Sequence, residues 1–205
     1  MSDQQTHPHI EILRAALKAA VQTFNESTDR DHLLCPRSED AKPKSPEWAA
    51  ASERSIAHRL AFYLECELRR IGVVAKDKEI VVDCEYNRHL GALKAMKAKH
   101  ELAEIVKEAG RKPIPLSDDD GWFVFSVAPD IVVHKRRSDE SNLLVLEVKK
   151  ASNTESPEYD DLKLTLFTKR GDAGYGYALG VSIIARDNIE PAKRVLEIGK
   201  EYPSA

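Results

Sequence analysis

The chain has 205 residues, of which 42% are hydrophobic and 32% charged, and its formal net charge is −3. This length fits one substantial core, and the composition is that of a globular protein and excludes a disordered chain. The slight negative charge argues against a simple basic clamp for nucleic acid, which shows a clear positive excess.

Targeting and redox features favour a cytoplasmic protein. No stretch approaches the roughly 20 consecutive apolar residues of a membrane span, and the N-terminus lacks a basic region followed by an apolar one. The three cysteines, Cys35, Cys66 and Cys84, are widely spaced and have no CxxC partner or nearby histidine pair. Their spacing therefore indicates neither a disulfide framework nor a zinc site.

The N-terminal segment predicts a helix followed by a linker. Apolar side chains recur at helical spacing over residues 9–24. These side chains are Ile10, Leu13, Leu17, Val21 and Phe24. Residues 25–46 are polar and contain prolines, so they predict a loop or linker that joins this helix to the main domain.

A second helix is predicted with Ser45 as its N-cap, Pro46 in its first turn and Gly72 at its end. Its apolar stripe consists of Ile56, Leu60, Tyr63, Leu64 and Ile71. Glu53 precedes Leu60 by seven residues and falls within about 20° of it around the helix. A carboxylate is therefore expected at one end of the buried stripe.

A strand and a helix are predicted next. Over residues 79–87 the alternation puts two sets of side chains on opposite faces. They are Ile80, Val82, Cys84 and Tyr86 on one face and Val81, Asp83 and Glu85 on the other. Residues 90–110 predict a helix that stops at Gly110. Seven basic residues against three acidic ones over residues 88–112 indicate a local basic surface.

The remaining pattern predicts a mixed α/β sheet. Residues 122–135 and 142–150 are strand-like and are separated by a polar segment suited to a hairpin. A helix over 157–171, a strand over 175–185 and a helix over 190–202 follow. A helical crossover joins parallel strands, so a parallel pair is expected beside the hairpin, with helices on both faces of the sheet.

Charged residues interrupt the apolar strand over 142–150. Alternation puts Glu147 and Lys149 on one face and Lys150 on the other. Asp130, after Pro129, begins the preceding strand, so a hairpin would bring Asp130 opposite Glu147. The alternative is an exposed acid and base pair at the end of a strand, which contributes only about 0 to 1 kcal/mol.

A divalent cation would relieve the repulsion between two converging carboxylates. Magnesium prefers hard oxygen ligands, often one or two carboxylates with waters and phosphate oxygens. Lys149 would reach the same space, where a lysine can orient or deprotonate a water or stabilise charge on phosphorus.

These residues resemble the PD-(D/E)XK nuclease superfamily, also called restriction-endonuclease-like. Pro129-Asp130 supplies the first half of the motif and Glu147-Val148-Lys149 the second. The resemblance covers residues 46–186 and implies a three-layer α/β/α fold with a central mixed sheet of about four to five strands. The family core of helix, three strands, helix and strand corresponds to residues 46–71, 79–87, 129–135, 142–150, 157–170 and 175–185.

The resemblance also implies a function and its residues. Family members commonly cut DNA, and sometimes RNA, with Mg²⁺ or Mn²⁺. Asp130 and Glu147 would then hold the metal with the Val148 carbonyl, Lys149 would assist the water, and Glu53 would match the additional acid on the first core helix. Residues 1–45 are expected to be an N-terminal helix and polar linker that pack on the core, and residues 46–205 the nuclease-like domain with a helical insertion at about 90–110, in one globular domain overall.

Further residues are weaker candidates. The possible additional site residues are Glu85, Asp83, Tyr86 and His58. The possible nucleic-acid contacts are Lys163, Lys135, Arg136 and Arg88. A solvated helix face is the favoured alternative for Lys163, and a charged hairpin tip needs no partner to explain Lys135 and Arg136. The cluster of Trp122, Phe123 and Phe125 predicts core packing.

Two functions besides nuclease activity stay open. The fold could be a catalytically silent module that binds nucleic acid, or the carboxylates could be coincidental in a protein that binds another protein. DNA is favoured over RNA, and no membrane partner is expected. A homodimer would place two sites across a twofold axis for cutting two strands, although no residue of the sequence indicates one.

Overall fold

The computed structural model describes residues 8–34, 51–76, 78–89, 92–116, 121–171, 174–187 and 193–204. Its helices are α1 Pro8–Glu26, α2 Thr28–Leu34, α3 Glu53–Arg70, α4 Ala103–Glu108 and α5 Glu158–Thr168, with a 3₁₀ turn at His100–Leu102 before α4. Its strands are β1 Ile80–Cys84, β2 Arg88–His89, β3 Ala92–Leu93, β4 Ala95–Lys99, β5 Ile114–Pro115, β6 Trp122–Ser126, β7 Ile131–Lys135, β8 Leu144–Lys150, β9 Leu179–Ala185 and β10 Leu196–Pro203. Among these described helices, none is long and apolar enough to cross a membrane.

The central sheet is mixed and has five strands in the order β1-β7-β8-β9-β10. Strand β7 is antiparallel to both β1 and β8, and β9 is antiparallel to β10. Strands β8 and β9 are parallel and are joined through α5. The predicted hairpin and the predicted crossover to a parallel strand are both confirmed, and so is a mixed α/β sheet with helices beside it.

Alternate residues of the central strands serve two separate cores. Leu144, Leu146 and Val148 of β8 pack with α1 and α3 on one face of the sheet. Val145 of β8 and Val132 of β7 pack with α5 and β6 on the other face. Because both faces are covered, these strands consist of nearly continuous apolar residues, and a charged residue among them requires a specific partner.

The predicted helix over residues 90–110 is wrong for most of its length. Residues 95–99 form β4 within a small three-stranded sheet ordered β4-β6-β5, and the helix is confined to α4. Met96 and Ala98 are buried in this sheet while Ala95 and Lys99 are exposed. Alanine and lysine favour helices, but pairing with β6 and burial of alternate residues override that propensity. Gly110, with φ +69°, does end α4 as expected.

The predicted C-terminal helix is also wrong. Residues 196–203 form β10, which pairs with β9 at the end of the central sheet. Leu196 and Tyr202 are buried, and a bulge between Ile198 and Glu201 shifts the register between them. This bulge disrupts strict alternation, which is why the segment lacked the period of a strand.

The helices of the N-terminal part differ from expectation in three respects. Helix α3 begins at Glu53 after the N-cap Ser52, whose side chain accepts a hydrogen bond from the Ser55 amide, while Ser45 and Pro46 lie outside the described residues. Residues 28–34, predicted as loop, form α2, whose Leu34 is fully buried. Ion pairing of Asp29 with Arg59 of α3 holds α2 in place. Ile71 caps α3 and is 39% exposed rather than part of the buried stripe.

Replacing Asn25 with alanine is expected to lower the free energy of unfolding by about 2 kcal/mol. The Asn25 side chain joins α1 to the sheet, since its Nδ2 donates to the Leu196 carbonyl at 2.9 Å and its Oδ1 accepts from the Leu196 amide at 2.7 Å. Urea denaturation measures the loss. Gln22→Ala, which removes an exposed bond to Glu26, is the control and should cost much less. Equal losses would contradict the role of Asn25.

Candidate active site

The strand register brings the two predicted carboxylates together. Ile131 of β7 pairs with Leu146 of β8, so the next position outward places Asp130 across from Glu147. Asp130 Oδ2 accepts a hydrogen bond of 2.7 Å from the Val148 amide. Asp130 is therefore fixed beside the Glu147-Val148-Lys149 segment, as the hairpin interpretation predicted.

A cleft of about 460 Å³ contains all the residues predicted as catalytic or as metal ligands. Its central residues are Glu53, Asp130, Glu147, Val148, Lys149, Asp160 and Lys163. The opposite wall is formed by residues of α4 and the turn after it, Ile105, Glu108, Ala109 and Arg111. The sheet, α3, α5 and the small-sheet region thus all contribute to one site.

Glu147 lies at the buried base of this cleft, with only 3% of its surface exposed. Its Oε2 accepts a hydrogen bond of 2.6 Å from Lys163 Nζ. Its Oε1 is buried and has no hydrogen-bond partner among the described residues. Burial raises the pKa of Glu147, Asp130 and Asp160 raise it further, and Lys163 opposes them.

Asp130 shares this excess of negative charge. Burial raises its pKa, while the Val148 amide and the Lys163 ammonium act in the opposite direction. Burial is the largest cause of both raised pKa values, so the cleft holds two neighbouring carboxylates, the buried Glu147 and the half-buried Asp130, largely away from water.

Lys149 lies in the same cleft, and Lys150 does not. Lys149 Nζ is 2.8 Å from Glu155 Oε2 and 3.7 Å from Asp160 Oδ2. Burial alone would lower the pKa of Lys149, but these acids raise it, so the ammonium stays charged. Lys150 Nζ instead lies 3.2 Å from Asp187 Oδ2. The predicted separation of the two lysines onto opposite faces of β8 is borne out.

Glu53 is hydrogen-bonded to the end of β8. As the first residue of α3, its Oε1 accepts hydrogen bonds from the Lys150 amide at 2.8 Å and from Asn153 Nδ2 at 3.1 Å. The side chain therefore crosses from the helical layer to the edge of the cleft. The sequence placed this carboxylate at the end of the buried stripe, where it is found.

Helix α5 supplies residues that the sequence interpretation missed or ranked too low. Asp160 Oδ1 forms an ion pair with Lys163 Nζ at 3.0 Å, and Asp160 Oδ2 lies 3.7 Å from Lys149 Nζ. Lys163 was considered a phosphate contact or part of a solvated face, yet it is 7% exposed and points at Glu147. The spacing of Asp160 and Lys163, three residues apart on a helix, was the available signal, because such residues are neighbours on one helix face.

Asp83 and Tyr86, proposed as additional site residues, belong to a separate cluster. Asp83 pairs with Arg136 through Nε at 2.8 Å and with His134 Nε2 at 3.1 Å, and the Tyr86 ring lies 4.6 Å from the His134 ring. Burial would raise the pKa of Asp83, but the hydrogen bonds from Arg136 and His134 outweigh it and hold that pKa well below its ordinary value. Tyr86 was expected on the face opposite Asp83; the positive φ of Glu85, +50°, breaks the alternation and places both in this cluster.

Other weaker candidates do not line the cleft. Glu85 is exposed and pairs with Arg54 at 2.5 Å, and His58 lines a separate depression with Asp29 and Arg59. Lys135 pairs with Glu79 at 2.8 Å. Arg88 is exposed on β2. Of the predicted nucleic-acid contacts, only Lys163 lines the cleft.

The aromatic cluster predicted as core is divided. Phe123 and Phe125 are fully buried, whereas Trp122 is half-buried with Lys97 Nζ 4.8 Å from its ring centre. Alternation along β6 explains the division, because Trp122 points to the face opposite the core.

The donor set fits a hard divalent cation in part. No group of three His, Cys, Asp or Glu side chains with metal-binding geometry is found in the described part of the chain. Magnesium, however, is commonly held by only one or two carboxylates, with waters and phosphate oxygens completing its shell. Asp130 and the partnerless Oε1 of Glu147 supply two carboxylates in the cleft, which Val148 also lines.

Comparisons with family models, with curated proteins and with solved structures find no match to this chain.

Proposed function

We propose that the protein is a metal-dependent nuclease that hydrolyses phosphodiester bonds, with DNA as the favoured substrate. The observation that carries the proposal is Glu147, a carboxylate buried at the base of an open cleft with one oxygen lacking a partner among the described residues. A buried, unsatisfied carboxylate oxygen is costly, and a cation beside Asp130 would satisfy it.

The residues of the cleft have distinct roles in this proposal. Asp130 and Glu147 would hold Mg²⁺ or Mn²⁺ with the Val148 carbonyl, and the bound cation would supply an activated water and charge stabilisation at phosphorus. Lys149 orients the attacking water and balances negative charge that develops on the phosphate oxygens. Glu53 holds the end of β8 through the Lys150 amide and so keeps Lys149 in position.

The element order gives further support. Helix α3, strands β1, β7 and β8, helix α5 and strand β9 follow one another as the restriction-endonuclease-like resemblance implies, with an insertion between β1 and β7. The three-layer arrangement of that fold, with α3 and α5 on opposite faces of the sheet, agrees with the two cores.

A second candidate is a catalytically silent module of the same fold. The 2.6 Å pair between Lys163 and Glu147 favours it, because this pair partly neutralises the site with no cation. Such a protein would bind nucleic acid or a protein without cutting.

Cleavage assays distinguish the two candidates. The purified protein is incubated with plasmid, linear and single-stranded DNA and with RNA, in Mg²⁺, Mn²⁺ or EDTA. We expect cleavage that requires metal and is lost in Asp130→Asn, because the amide keeps the shape of the side chain but not its charge.

The matched control is Asp161→Asn, since Asp161 on α5 contacts Lys200 and Tyr202 rather than the cleft. Its cleavage should equal that of the unmodified protein. Salt-sensitive binding without cleavage in any metal would support a silent module that binds nucleic acid, and the absence of both activities would exclude the nuclease and leave a silent module that binds a protein.

A further inference from the structure

Lys163 occupies an unusual position for a lysine. Its residue surface is 7% exposed, and its Nζ lies 2.6 Å from Glu147 Oε2 on β8 and 3.0 Å from Asp160 Oδ1 on its own helix. The Tyr159 ring centre is 5.0 Å from the same nitrogen. Lysine is almost never buried unless it is paired, so the two carboxylates are what allow the Lys163 ammonium to be buried.

The surrounding charges do not balance. Asp130, Glu147 and Asp160 line the cleft around this one buried ammonium, while Lys149 is also engaged by Glu155 at the cleft edge. The ammonium contacts only one oxygen of Glu147 and leaves the other without a partner. Lys163 therefore neutralises Glu147 only in part.

The two partners of Lys163 differ in how they are attached. Asp160 is on the same helix, three residues earlier, so it keeps its distance from Lys163 when contacts with the sheet change. Glu147 is on the neighbouring strand. The ammonium can consequently release Glu147 while it keeps a carboxylate partner, which avoids leaving a bare buried charge.

We propose that Lys163 is an exchangeable counter-ion, which neutralises Glu147 while no metal is bound and shifts onto Asp160 when a divalent cation takes up Glu147. This inference rests on the metal site of the proposed function. It assigns Lys163 to the metal-free form of the site and makes Asp160 the positioning residue that holds Lys163 after the exchange.

The exchange has a consequence for a nucleic-acid substrate. Once released from Glu147, the Lys163 ammonium lies beside Asp160 at the wall of the cleft, near Lys149. Two ammonium groups then face the space where a phosphate would approach, and the buried carboxylates are neutralised by metal. The cleft becomes suitable for an anion only after metal has bound.

The test compares Mg²⁺ binding, without any nucleic acid, in the full chain and its variants by titration calorimetry and by the midpoint of thermal unfolding in EDTA and in Mg²⁺. Lys163→Met removes the competing ammonium, and Lys163→Gln removes its charge but retains a hydrogen-bond donor for Glu147. Both are expected to bind Mg²⁺ about 10-fold more tightly or better and to gain more thermal stability from Mg²⁺ than the unmodified protein.

Two controls isolate the effect. Lys150→Met removes a lysine from the opposite face of β8, where it pairs with Asp187, and should leave the Mg²⁺ affinity unchanged. Lys163→Arg keeps the positive charge and should stay near the unmodified affinity.

The outcomes separate this inference from the proposed function. If Mg²⁺ binds the unmodified protein and the Lys163→Met and Lys163→Gln variants equally, or binds the variants more weakly, the exchange is wrong and the metal site stands. If Mg²⁺ binds neither the unmodified protein nor these variants, the assignment of the metal site is wrong. Both the exchange and the proposed function are then overturned.

Discussion

Lys149→Met is expected to reduce metal-dependent cleavage by about 10²- to 10³-fold, the usual loss when one group that stabilises charge in the transition state is removed. Lys149 lines the cleft together with Glu147 and Asp130, and its Nζ lies 3.7 Å from Asp160 Oδ2. Its substitution removes a charge from the cleft but leaves no buried carboxylate unpaired, because Glu155 is exposed and Asp160 keeps its pair with Lys163. The fold and Mg²⁺ affinity should therefore survive.

The neighbouring Lys150 is the matched control, because the two lysines differ mainly in the face of β8 from which they project. Lys150→Met should cut at nearly the unmodified rate, since its side chain contacts Asp187 away from the cleft. The cleavage rates of the two variants are compared under single-turnover conditions, and circular dichroism verifies that both variants are folded. Equal losses of cleavage rate in the two variants would show that cleavage depends on the total positive charge at this end of β8. Lys149 would then have no specific role.

The central strands could be predicted because burial on both faces leaves a strong local signal. Strands β7 and β8 are almost continuous apolar runs, and the polar segment between them is short enough for a hairpin. The register followed from the same pattern, so the amino-acid sequence alone was enough to pair Asp130 with Glu147.

The small sheet and β10 could not be predicted, because their structure depends on pairing with other strands rather than on a local pattern. Residues 95–99 have the composition of a helix and become a strand only by pairing with β6, whose residues begin more than twenty positions later. Strand β10 depends on β9 and is interrupted by a bulge.

The residues of the candidate site also divide into those that the sequence predicts and those that it does not. Asp130, Glu147 and Lys149 follow from alternation within two paired strands, whereas Asp160 and Lys163 depend on how α5 is rotated against the sheet. Helix α5 buries residues on most of its circumference, including Leu162, Leu164 and Phe167. No polar face therefore marked the direction in which Lys163 would point.

Glu147→Leu is expected to lower the free energy of unfolding, measured by urea denaturation in EDTA, by about 3 kcal/mol. The substitution removes one of the two carboxylates that hold the Lys163 ammonium, which is buried and would keep only Asp160 as a partner. Glu197→Leu, which disrupts an exposed pair with Arg186, is the control and should cost at most about 1 kcal/mol.

Adding Lys163→Met to Glu147→Leu is expected to restore most of that loss. Replacing a buried ion pair by apolar residues of similar volume is often neutral or stabilising, because neither charge then has to be removed from water. The double variant should neither bind Mg²⁺ nor cleave nucleic acid. It would therefore regain stability without regaining function. Lys163→Met could instead lower the free energy of unfolding equally in the unmodified protein and in Glu147→Leu. The two side chains would then not be energetically coupled, and their ion pair would contribute no stability of its own.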